Sequence, residues 1–96
     1  MSQRPIVQLL DLLGTKWVLR ILWELNQGPC SFRELQSRCD DLSPTTINNR
    51  IKDLVAAGLV TKSDDVGYGL SSLGDELLEM FMPLYQFAGR WSEAVK

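Results

Sequence analysis

Apolar residues recur at helical spacing through the first third of the chain. Pro5 suits the first turn of a helix, and the stretch IVQLLDLL after it predicts a short apolar helix that ends at Gly14. The next segment, TKWVLRILWELNQG, carries apolar side chains along one helix face, at Trp17, Val18, Ile21, Leu22 and Leu25. Because Gly28–Pro29 stops a helix, this pattern predicts a second helix that ends just before it.

Capping residues mark the starts of the next two helices. Ser31 and Glu34 have the spacing of a capping box, which predicts a third helix over SFRELQSRC. Its inward positions are Phe32, Leu35 and Cys39. After the turn DDLS, Ser43 suits an N-cap and Pro44 a first helical position. The fourth helix then covers about residues 44–57, with a core stripe at Ile47, Ile51, Leu54 and Val55 and a left-handed cap at Gly58.

The periodicity changes after Gly58. LVTK and YGLS predict two short strands joined by SDDVG, and a last helix starts at Ser71, with Asp75 and Glu76 in its first turn. Pro83 predicts a kink in that helix. Its broad apolar stripe comprises Leu73, Leu77, Leu78, Phe81, Leu84, Tyr85 and Ala88. The order of four helices, a hairpin and a helix predicts one domain over residues 1–96: a mostly α fold with a small β-hairpin (α+β), of the winged helix-turn-helix type.

The outer face of the fourth helix is made of poor helix formers. Thr and Asn occur early in the helix, where Glu, Lys or Ala would stabilise it more. At about 100° per residue, Thr45, Thr46, Asn49 and Lys52 lie opposite the core stripe, and Asn48 and Arg50 flank them. In a helix-turn-helix, this face of the second helix enters the major groove of DNA.

Base and phosphate recognition explain these residue types. Asn pairs bidentately with adenine, and Thr offers a hydroxyl and a methyl group to base edges. Lysine, arginine and free amide groups at a helix start hold phosphates. The candidate DNA-binding residues are Ser43, Thr45, Thr46, Asn48, Asn49, Arg50 and Lys52 of the recognition helix, Ser31 and Arg33 of the supporting helix, and Lys62 of the hairpin.

Net charge modifies the expected affinity. The chain of 96 residues carries a net charge of −2, but residues 1–30 and 31–62 each carry +1 and residues 63–96 carry −4. The acidity therefore lies in the last third. Because the rest is only mildly basic, we expect DNA affinity to be modest and strongly dependent on salt.

The residue inventory argues against catalysis, metal binding and a membrane. The chain has no histidine, no phosphate-binding loop and no dinucleotide-binding motif, so no catalytic residues, metal site or cofactor are predicted. Cys30 and Cys39 lie at opposite ends of a helix, roughly 13 Å apart, too far for a disulfide. We expect free thiols and a cytoplasmic protein, because no apolar run approaches the ~20 residues of a membrane span.

The stretch GTKWVLRILWELNQGPCSFRELQSRCDDLSPTTINNRIKDLVAAGLV resembles the HxlR family of bacterial transcription regulators. Its first part has the family pattern at Lys16, Trp17, Ile21, Leu22, Leu25, Gly28, Phe32, Glu34 and Leu35. Its second part matches at Ser43, Ile47, Arg50, Leu54, Gly58, Leu59 and Val60. The segment YGLSSLGDELLEMFMPL and Trp91 are also similar to the family, so that the resemblance covers about residues 9–91.

This resemblance implies a homodimer, joined by the first and last helices, that binds a near-palindromic double-stranded DNA operator. The chain's own pattern agrees, because both helices offer more apolar surface than a small fold buries. The candidate interface residues are Ile6, Leu9, Leu10, Leu13, Phe81, Leu84, Tyr85 and Trp91. The alternative is that these helices only close the core of a monomer.

Two departures from the family pattern leave alternatives open. The wing is short and carries Asp64 and Asp65, which phosphates repel, so Lys62 at its base is the one candidate there for DNA contact. This acidity suits a second hypothesis, a winged helix that binds a basic protein partner with little or no DNA affinity. A third is control by a small molecule in an aromatic cleft near Trp17, Trp23, Phe81 or Tyr85, whose identity the sequence leaves unknown. Some members of the family sense oxidants through a cysteine near the first helix. This sequence has no cysteine there, so the resemblance does not imply redox sensing, and only Cys30 leaves sensitivity to thiol reagents open.

Overall fold

The computed structural model describes residues 4–63, 65 and 67–96. Helices and strands follow one another in the predicted order. They are α1 (Pro5–Leu13), α2 (Val18–Leu25), α3 (Phe32–Arg38), α4 (Pro44–Ala56), β1 (Val60–Ser63), β2 (Gly67–Leu70) and α5 (Ser72–Ala94).

Local side-chain chemistry sets the helix ends, as predicted. Ser31 Oγ accepts a hydrogen bond from the Glu34 N–H at 3.1 Å, and the Ser31 N–H donates to Glu34 Oε1 at 3.2 Å, which completes the capping box of α3. Ser43 Oγ accepts from the Thr46 N–H at 3.2 Å and caps α4. Gly58 has a φ of 78° and ends α4 in the left-handed conformation that glycine adopts most easily.

The core lies where α2, α3 and α4 meet the hairpin. α2 contributes most to it, because Val18, Ile21, Leu22 and Leu25 are all buried. The remaining buried apolar residues are Cys30, Leu35, Cys39, Ile47, Ile51, Leu54, Leu59, Val60 and Leu78. Both cysteines are free thiols inside this cluster, which confirms the prediction that they are not bridged.

Two positions on predicted core faces differ in the structure. Val55 was expected in the core stripe of α4, but it is 42% exposed, because it lies at the edge of the helix beside the open side of the hairpin. Trp17 precedes α2 instead of lying within it. It has a φ of 78° and is half-buried against the core, so the chain turns sharply before the helix begins.

Tyr68 bonds the hairpin to the loop before α3. β1 and β2 pair antiparallel, with Lys62 opposite Tyr68. Tyr68 also pairs with Cys30: its N–H donates to the Cys30 carbonyl at 2.8 Å and its carbonyl accepts from the Cys30 N–H at 2.9 Å. Because these two bonds anchor β2 to the loop before α3, the base of the hairpin is held beside α4.

α5 runs as one helix from Ser72 to Ala94, with Pro83 inside it. Near its middle it packs on α2, where Tyr85 stacks on Trp23 at 4.7 Å between ring centroids and Phe81 meets the same indole edge-on at 6.3 Å. Every residue from Met82 to Lys96 is exposed. Over the described ranges, no helix combines the length and apolar character that crossing a bilayer requires.

Candidate nucleic-acid interface

The turn between α3 and α4 determines how α4 is presented. Asp40 and Asp41 both adopt the left-handed conformation, with φ of 59° and 58°. Asp and Asn tolerate this conformation better than most residues, although it still costs energy. The Asp41 N–H donates to the Gln36 carbonyl at 2.9 Å, and Gln36 Nε2 donates to the Leu42 carbonyl at 2.9 Å. These bonds fix the chain just before Ser43, where α4 begins.

Two arginines tie this turn to α2. Arg20 Nη2 donates to the Arg38 carbonyl at 2.7 Å, while its Nε pairs with Glu24 at 2.8 Å. The same guanidinium lies 3.4 Å from Asp40 Oδ2. The hydrogen bond to Glu24, opposed in part by desolvation, raises the pKa of Arg20 above its ordinary value. Arg38 Nη1 in turn donates to the Glu24 carbonyl at 3.1 Å, so the angle between α2 and α4 depends on this network.

The outward face of α4 is open, as the helical wheel predicts. Thr45, Asn48, Asn49 and Lys52 are exposed, while Ile47, Ile51 and Leu54 are buried on the opposite side. Polar groups that can bond to base edges therefore project from the first half of this helix.

The hydroxyl groups of Ser43 and Thr46 already take part in hydrogen bonds at the start of α4. Besides accepting from the Thr46 N–H, Ser43 Oγ donates to Thr46 Oγ1 at 2.9 Å. Thr46 is half-buried and keeps its own hydroxyl proton as a donor. The amide of Thr45 lies in the first helical turn, where N–H groups have no acceptor within the helix and can bond a phosphate.

Arg50 is less available than its position in the sequence suggests. Its side chain is 27% exposed, and its Nε lies 3.4 Å from Asp53 Oδ2. That Nε is buried and makes no hydrogen bond within the described residues. Because a carboxylate on the same helix partly offsets its charge, Arg50 is a weaker phosphate ligand than Lys52.

A groove of about 350 Å³ separates α4 from the hairpin. Asn48, Lys52 and Val55 line its α4 side, and Lys62 and Tyr68 line its hairpin side. Lys62 Nζ lies 5.9 Å from the centre of the Tyr68 ring. Two lysine side chains and apolar side chains therefore line the same groove. We call these five residues the wing-base groove.

The other candidate residues are more dispersed. Arg33 is exposed on α3 and Ser31 is half-buried at its start, with the Ser31 hydroxyl used by the capping box. At the tip of the wing, Asp65 is exposed, while Asp64 lies outside the described residues. The acidic character of the tip and the basic character of the base are thus separated along the hairpin.

Several positioning residues were missed at the level of sequence. Tyr68 belongs to the groove because of its register opposite Lys62, and register depends on a turn that composition does not specify. Arg20, Gln36 and Arg38 fall on half-buried helix positions that periodicity assigns to no face. The spacing of Arg20 and Glu24 is visible in the sequence, but the other partners are backbone carbonyls brought near by the fold, which no residue pattern along the chain signals.

The two free thiols are buried in the core. Burial raises the pKa of both Cys30 and Cys39 above the usual range. For Cys30 the nearby Arg38 opposes this effect, and for Cys39 Arg20 does. In the part of the chain that the structure describes, no group of three or more cysteine, aspartate or glutamate residues is placed to hold a metal ion.

Comparison with known proteins identifies the same architecture. A family model described as HxlR-like helix-turn-helix matches residues 12–96. An HTH-type transcriptional regulator of Methanocaldococcus jannaschii is 29% identical over 86 residues, which cover 85% of this chain and 80% of that protein. The family model thus spans the whole helix-turn-helix and the hairpin.

Solved structures agree with this result. A possible HxlR family transcriptional factor from Thermoplasma volcanium shares 30% identity, with a TM-score of 0.80 over 97% of this chain and 89% of that one. The quinone-bound YodB of Bacillus subtilis shares 25% identity, with a TM-score of 0.83 over 93% of this chain and 99% of that one. The winged helix-turn-helix predicted from the sequence is therefore confirmed.

Proposed function

The chain belongs to the HxlR-like helix-turn-helix family of transcriptional regulators, and we propose that it acts as a homodimer that binds a near-palindromic DNA operator. Family members are regulators and not enzymes, which confirms the prediction that the chain is not an enzyme. α4 is the recognition helix in this proposal, and the cytoplasm is the compartment in which the protein meets its DNA.

One observation carries the proposal. The outward face of α4 presents Thr45, Asn49 and Lys52 to solvent, at the end of a turn held by Arg20 and Arg38. A surface helix without a partner gains nothing from Thr and Asn at these positions, whereas a helix in the major groove uses them for base contacts. Asn49 and Thr45 read bases in this proposal.

Phosphate contacts come from around this face. Lys52 and Lys62 extend from the two walls of the wing-base groove, beside the position of a DNA backbone that flanks α4. Arg33, Arg50 and the first-turn amides of α4 add weaker contacts. The wing tip stays clear of the DNA because Asp65 would meet phosphate oxygens there.

Dimerisation is supported by apolar surface on the first and last helices. Ile6 and Leu10 of α1 are 57% and 58% exposed, and α1 has no buried residue. Leu84, Tyr85 and Trp91 of α5 are also more than half exposed, while Leu9, Leu13 and Phe81 are half-buried. A two-fold dimer joined here places its recognition helices about one DNA turn apart, roughly 34 Å.

The test is selection of binders from a random duplex pool, followed by titration of the winner and a scrambled duplex by fluorescence anisotropy. We expect a palindrome, bound at least ~10³-fold more tightly than the scrambled duplex. The measurement is repeated at two salt concentrations, because phosphate contacts predict a steep loss of affinity as salt rises.

The competing hypothesis, a winged helix that binds a basic protein, predicts a different outcome. It is favoured by the exposed Asp65 and by the six acidic residues against two basic ones in residues 63–96. Failure to enrich any sequence, with weak binding that moderate salt abolishes, would reject operator recognition and favour this alternative.

A further inference from the structure

The lysines of the wing-base groove have a use in the proposed function, but its apolar residues do not. Lys52 and Lys62 suit DNA phosphates. A phosphate backbone gains nothing from the aliphatic side chain of Val55 or from the ring face of Tyr68. Val55 is 42% exposed and Tyr68 is half-buried, so both leave apolar surface in contact with water. The groove therefore combines groups that DNA binding alone does not require.

Secondary structure places these residues on two facing walls. On α4, Asn48, Lys52 and Val55 follow one another at intervals of four and three residues, which puts them on one flank of the helix. On the hairpin, Lys62 and Tyr68 are directly opposite each other in the strand register, so both lie on the same sheet face. Each wall thus offers one ammonium group and one apolar side chain.

The hairpin wall is held in place by the fold itself. Tyr68 exchanges two backbone hydrogen bonds with Cys30, of 2.8 and 2.9 Å, and its side chain packs against the core. Lys62 Nζ lies 5.9 Å from the centre of the Tyr68 ring, so a positive charge and an aromatic surface are neighbours. A wall that is already ordered reduces the entropy that binding of a small ligand costs.

The positive charge of the groove is available to a ligand. Over the described ranges, the ion pairs of the protein do not include Lys52 or Lys62. Asp53, the acidic residue next to Lys52 in the sequence, pairs with Arg50 instead, at 3.4 Å. Two unpaired ammonium groups on the walls of one groove repel each other and favour an anion between them.

We propose that the wing-base groove binds a small aromatic carboxylate, which competes with the DNA backbone for Lys52 and Lys62. The carboxylate lies between the two ammonium groups, and the ring packs between Val55 and Tyr68. Binding of the carboxylate follows from the groove, whereas its competition with DNA rests on the proposed function.

The size and lining of the groove specify this ligand class. A groove of about 350 Å³ accommodates a molecule of one or two rings. An aromatic ring is favoured over an alkyl chain because it can stack on Tyr68 and has little internal freedom to lose. A carboxylate satisfies the lysines on both walls at once, since each of its two oxygens accepts hydrogen bonds.

Other surfaces of the protein do not match this chemistry. A groove of about 370 Å³ between the end of α2 and α5 is lined by Asp75 and Glu79, whose carboxylates repel an anion. A groove of about 300 Å³ beside α1 has no charged residue in its lining. The rings of Phe81 and Tyr85 pack on Trp23, so these three aromatic residues cover one another.

Binding is tested with 2-naphthoate and the full-length protein in the absence of DNA. Backbone amide shifts are followed by NMR as naphthoate is added. We expect saturable shifts at Lys52, Val55, Lys62 and Tyr68, with a dissociation constant on the order of 0.1–1 mM. The neutral 2-naphthylmethanol and the ringless acetate should each bind roughly tenfold more weakly. Equal binding of naphthoate and naphthylmethanol, or shifts centred on Trp23, would overturn the proposal.

Lysine substitutions test which charges the carboxylate uses. Lys52→Met and Lys62→Met each remove an ammonium group and retain an unbranched apolar side chain. We expect each to weaken naphthoate binding roughly threefold, because solvent screens exposed lysines. Lys16→Met is the matched control, at an exposed lysine that does not line the groove, and should leave binding unchanged. Circular dichroism confirms that each variant is folded. Equal effects of Lys16→Met and Lys62→Met would exclude the groove as the site.

Operator titrations test the competition. Naphthoate at about ten times its dissociation constant should raise the operator dissociation constant by about tenfold or more, relative to the same concentration of acetate. Val55→Ser removes an apolar contact without changing charge, so it should weaken naphthoate binding more than operator binding. An operator affinity that saturating naphthoate leaves unchanged would overturn the competition. A wild-type protein without operator affinity would instead reject the proposed function, and the NMR titration would still decide whether the groove binds the carboxylate.

Discussion

At the scale of single residues, the side chains of α4 divide by the kind of contact they can make. Asn49 presents an amide that can both donate to and accept from a base edge, whereas Lys52 presents a charge that does not depend on base sequence. Both are exposed on the same helix face. The two residues should therefore affect binding in different ways.

We predict that Asn49→Ala lowers discrimination between the selected operator and a scrambled duplex by ~1–3 kcal/mol. Lys52→Ala should weaken both duplexes alike and reduce the slope of log affinity against log salt by about 1. Titrations at several salt concentrations measure both effects, with Asn26→Ala and Lys96→Ala as controls away from α4. Equal losses on both duplexes for Asn49→Ala would exclude base reading by Asn49.

Cys30 and Cys39 illustrate a second residue-scale effect, since burial raises the pKa of both thiols. A raised pKa means that the folded state holds the proton to higher pH than the unfolded state does. The contribution of each buried thiol to the free energy of unfolding is therefore complete below the ordinary thiol pKa. It declines as pH rises through that value towards the raised pKa of the folded state.

We predict that a disulfide reagent such as DTNB labels the native protein slowly at pH 8 and labels both thiols rapidly in guanidinium.

The free energy of unfolding, measured by denaturant titration, should fall between pH 8 and pH 10. The double variant Cys30→Ala, Cys39→Ala should lose less of its free energy of unfolding over this range. Fast labelling of the native protein would show that a thiol is accessible.

At the scale of elements, the connection between α3 and α4 matters more than either helix alone. Of its two left-handed aspartates, Asp41 donates its N–H to the Gln36 carbonyl, and the Asp40 carboxylate lies 3.4 Å from Arg20 Nη2. Gln36 and Arg20 also donate to the carbonyls of Leu42 and Arg38, on either side of the turn. If these bonds are lost, the turn can relax and the direction of α4 relative to α2 is no longer fixed.

We predict that Arg20→Met lowers the free energy of unfolding by about 1–2 kcal/mol, because it retains the aliphatic stem but leaves the Arg38 carbonyl and Glu24 without their donor. Operator affinity should fall more than this stability loss explains, since α4 is presented less accurately. Chemical denaturation and operator titration measure the two effects. Arg33→Met, at an exposed position of α3, should change stability by less than about 0.5 kcal/mol.

The hairpin depends on a glycine. Gly67 has a φ of 104°, and a Cβ there would overlap the carbonyl oxygen of Cys30, to which β2 is bonded. Any side chain therefore separates the hairpin from the loop before α3 and opens the wing-base groove.

We predict that Gly67→Ala destabilises the fold by more than ~1 kcal/mol, measured by thermal or chemical unfolding. Gly89→Ala makes the same chemical change in α5, where the added methyl group meets no atom within 4 Å. It should be neutral or stabilising by up to ~1 kcal/mol, because alanine favours the helix. Similar effects of the two substitutions would show that Gly67 is not constrained.

At the scale of the whole molecule, the folded body and the association surface are different parts of the chain. The body is closed around α2, which supplies four buried residues, while α1 supplies none. α1 and the second half of α5 are thus ordered helices with little to cover their apolar sides within one chain.

We predict that the midpoint of thermal unfolding rises with protein concentration, because association stabilises the folded state by mass action. Scanning calorimetry over a hundredfold range of concentration measures the effect. Leu84→Glu, which places a charge on the exposed apolar side of α5, should lower the midpoint and remove its concentration dependence. A wild-type midpoint independent of concentration would contradict the dimer.

Much of the fold follows from local chemistry along the chain. Helices begin where capping bonds that reach three residues at most are available, as at Ser31, Glu34, Ser43 and Pro44. Gly58 ends α4 because glycine, which has no Cβ, adopts a positive φ easily. The outward face of α4 follows from helical periodicity alone. The sequence by itself therefore determined the order of elements, the fold class and the family, and it selected the candidate recognition face.

Tertiary structure decided what periodicity leaves undefined. Val55 is exposed because the hairpin leaves that flank of α4 open, and Arg20 meets a carbonyl 18 positions later in the chain. The separation of the α5 apolar residues into an inner side and an exposed side also required the structure, since only packing against Trp23 shows which apolar side faces the body. The physical reason is common to all three: a residue's own chemistry and spacing specify its helix, but its burial and partners depend on segments that only folding brings together.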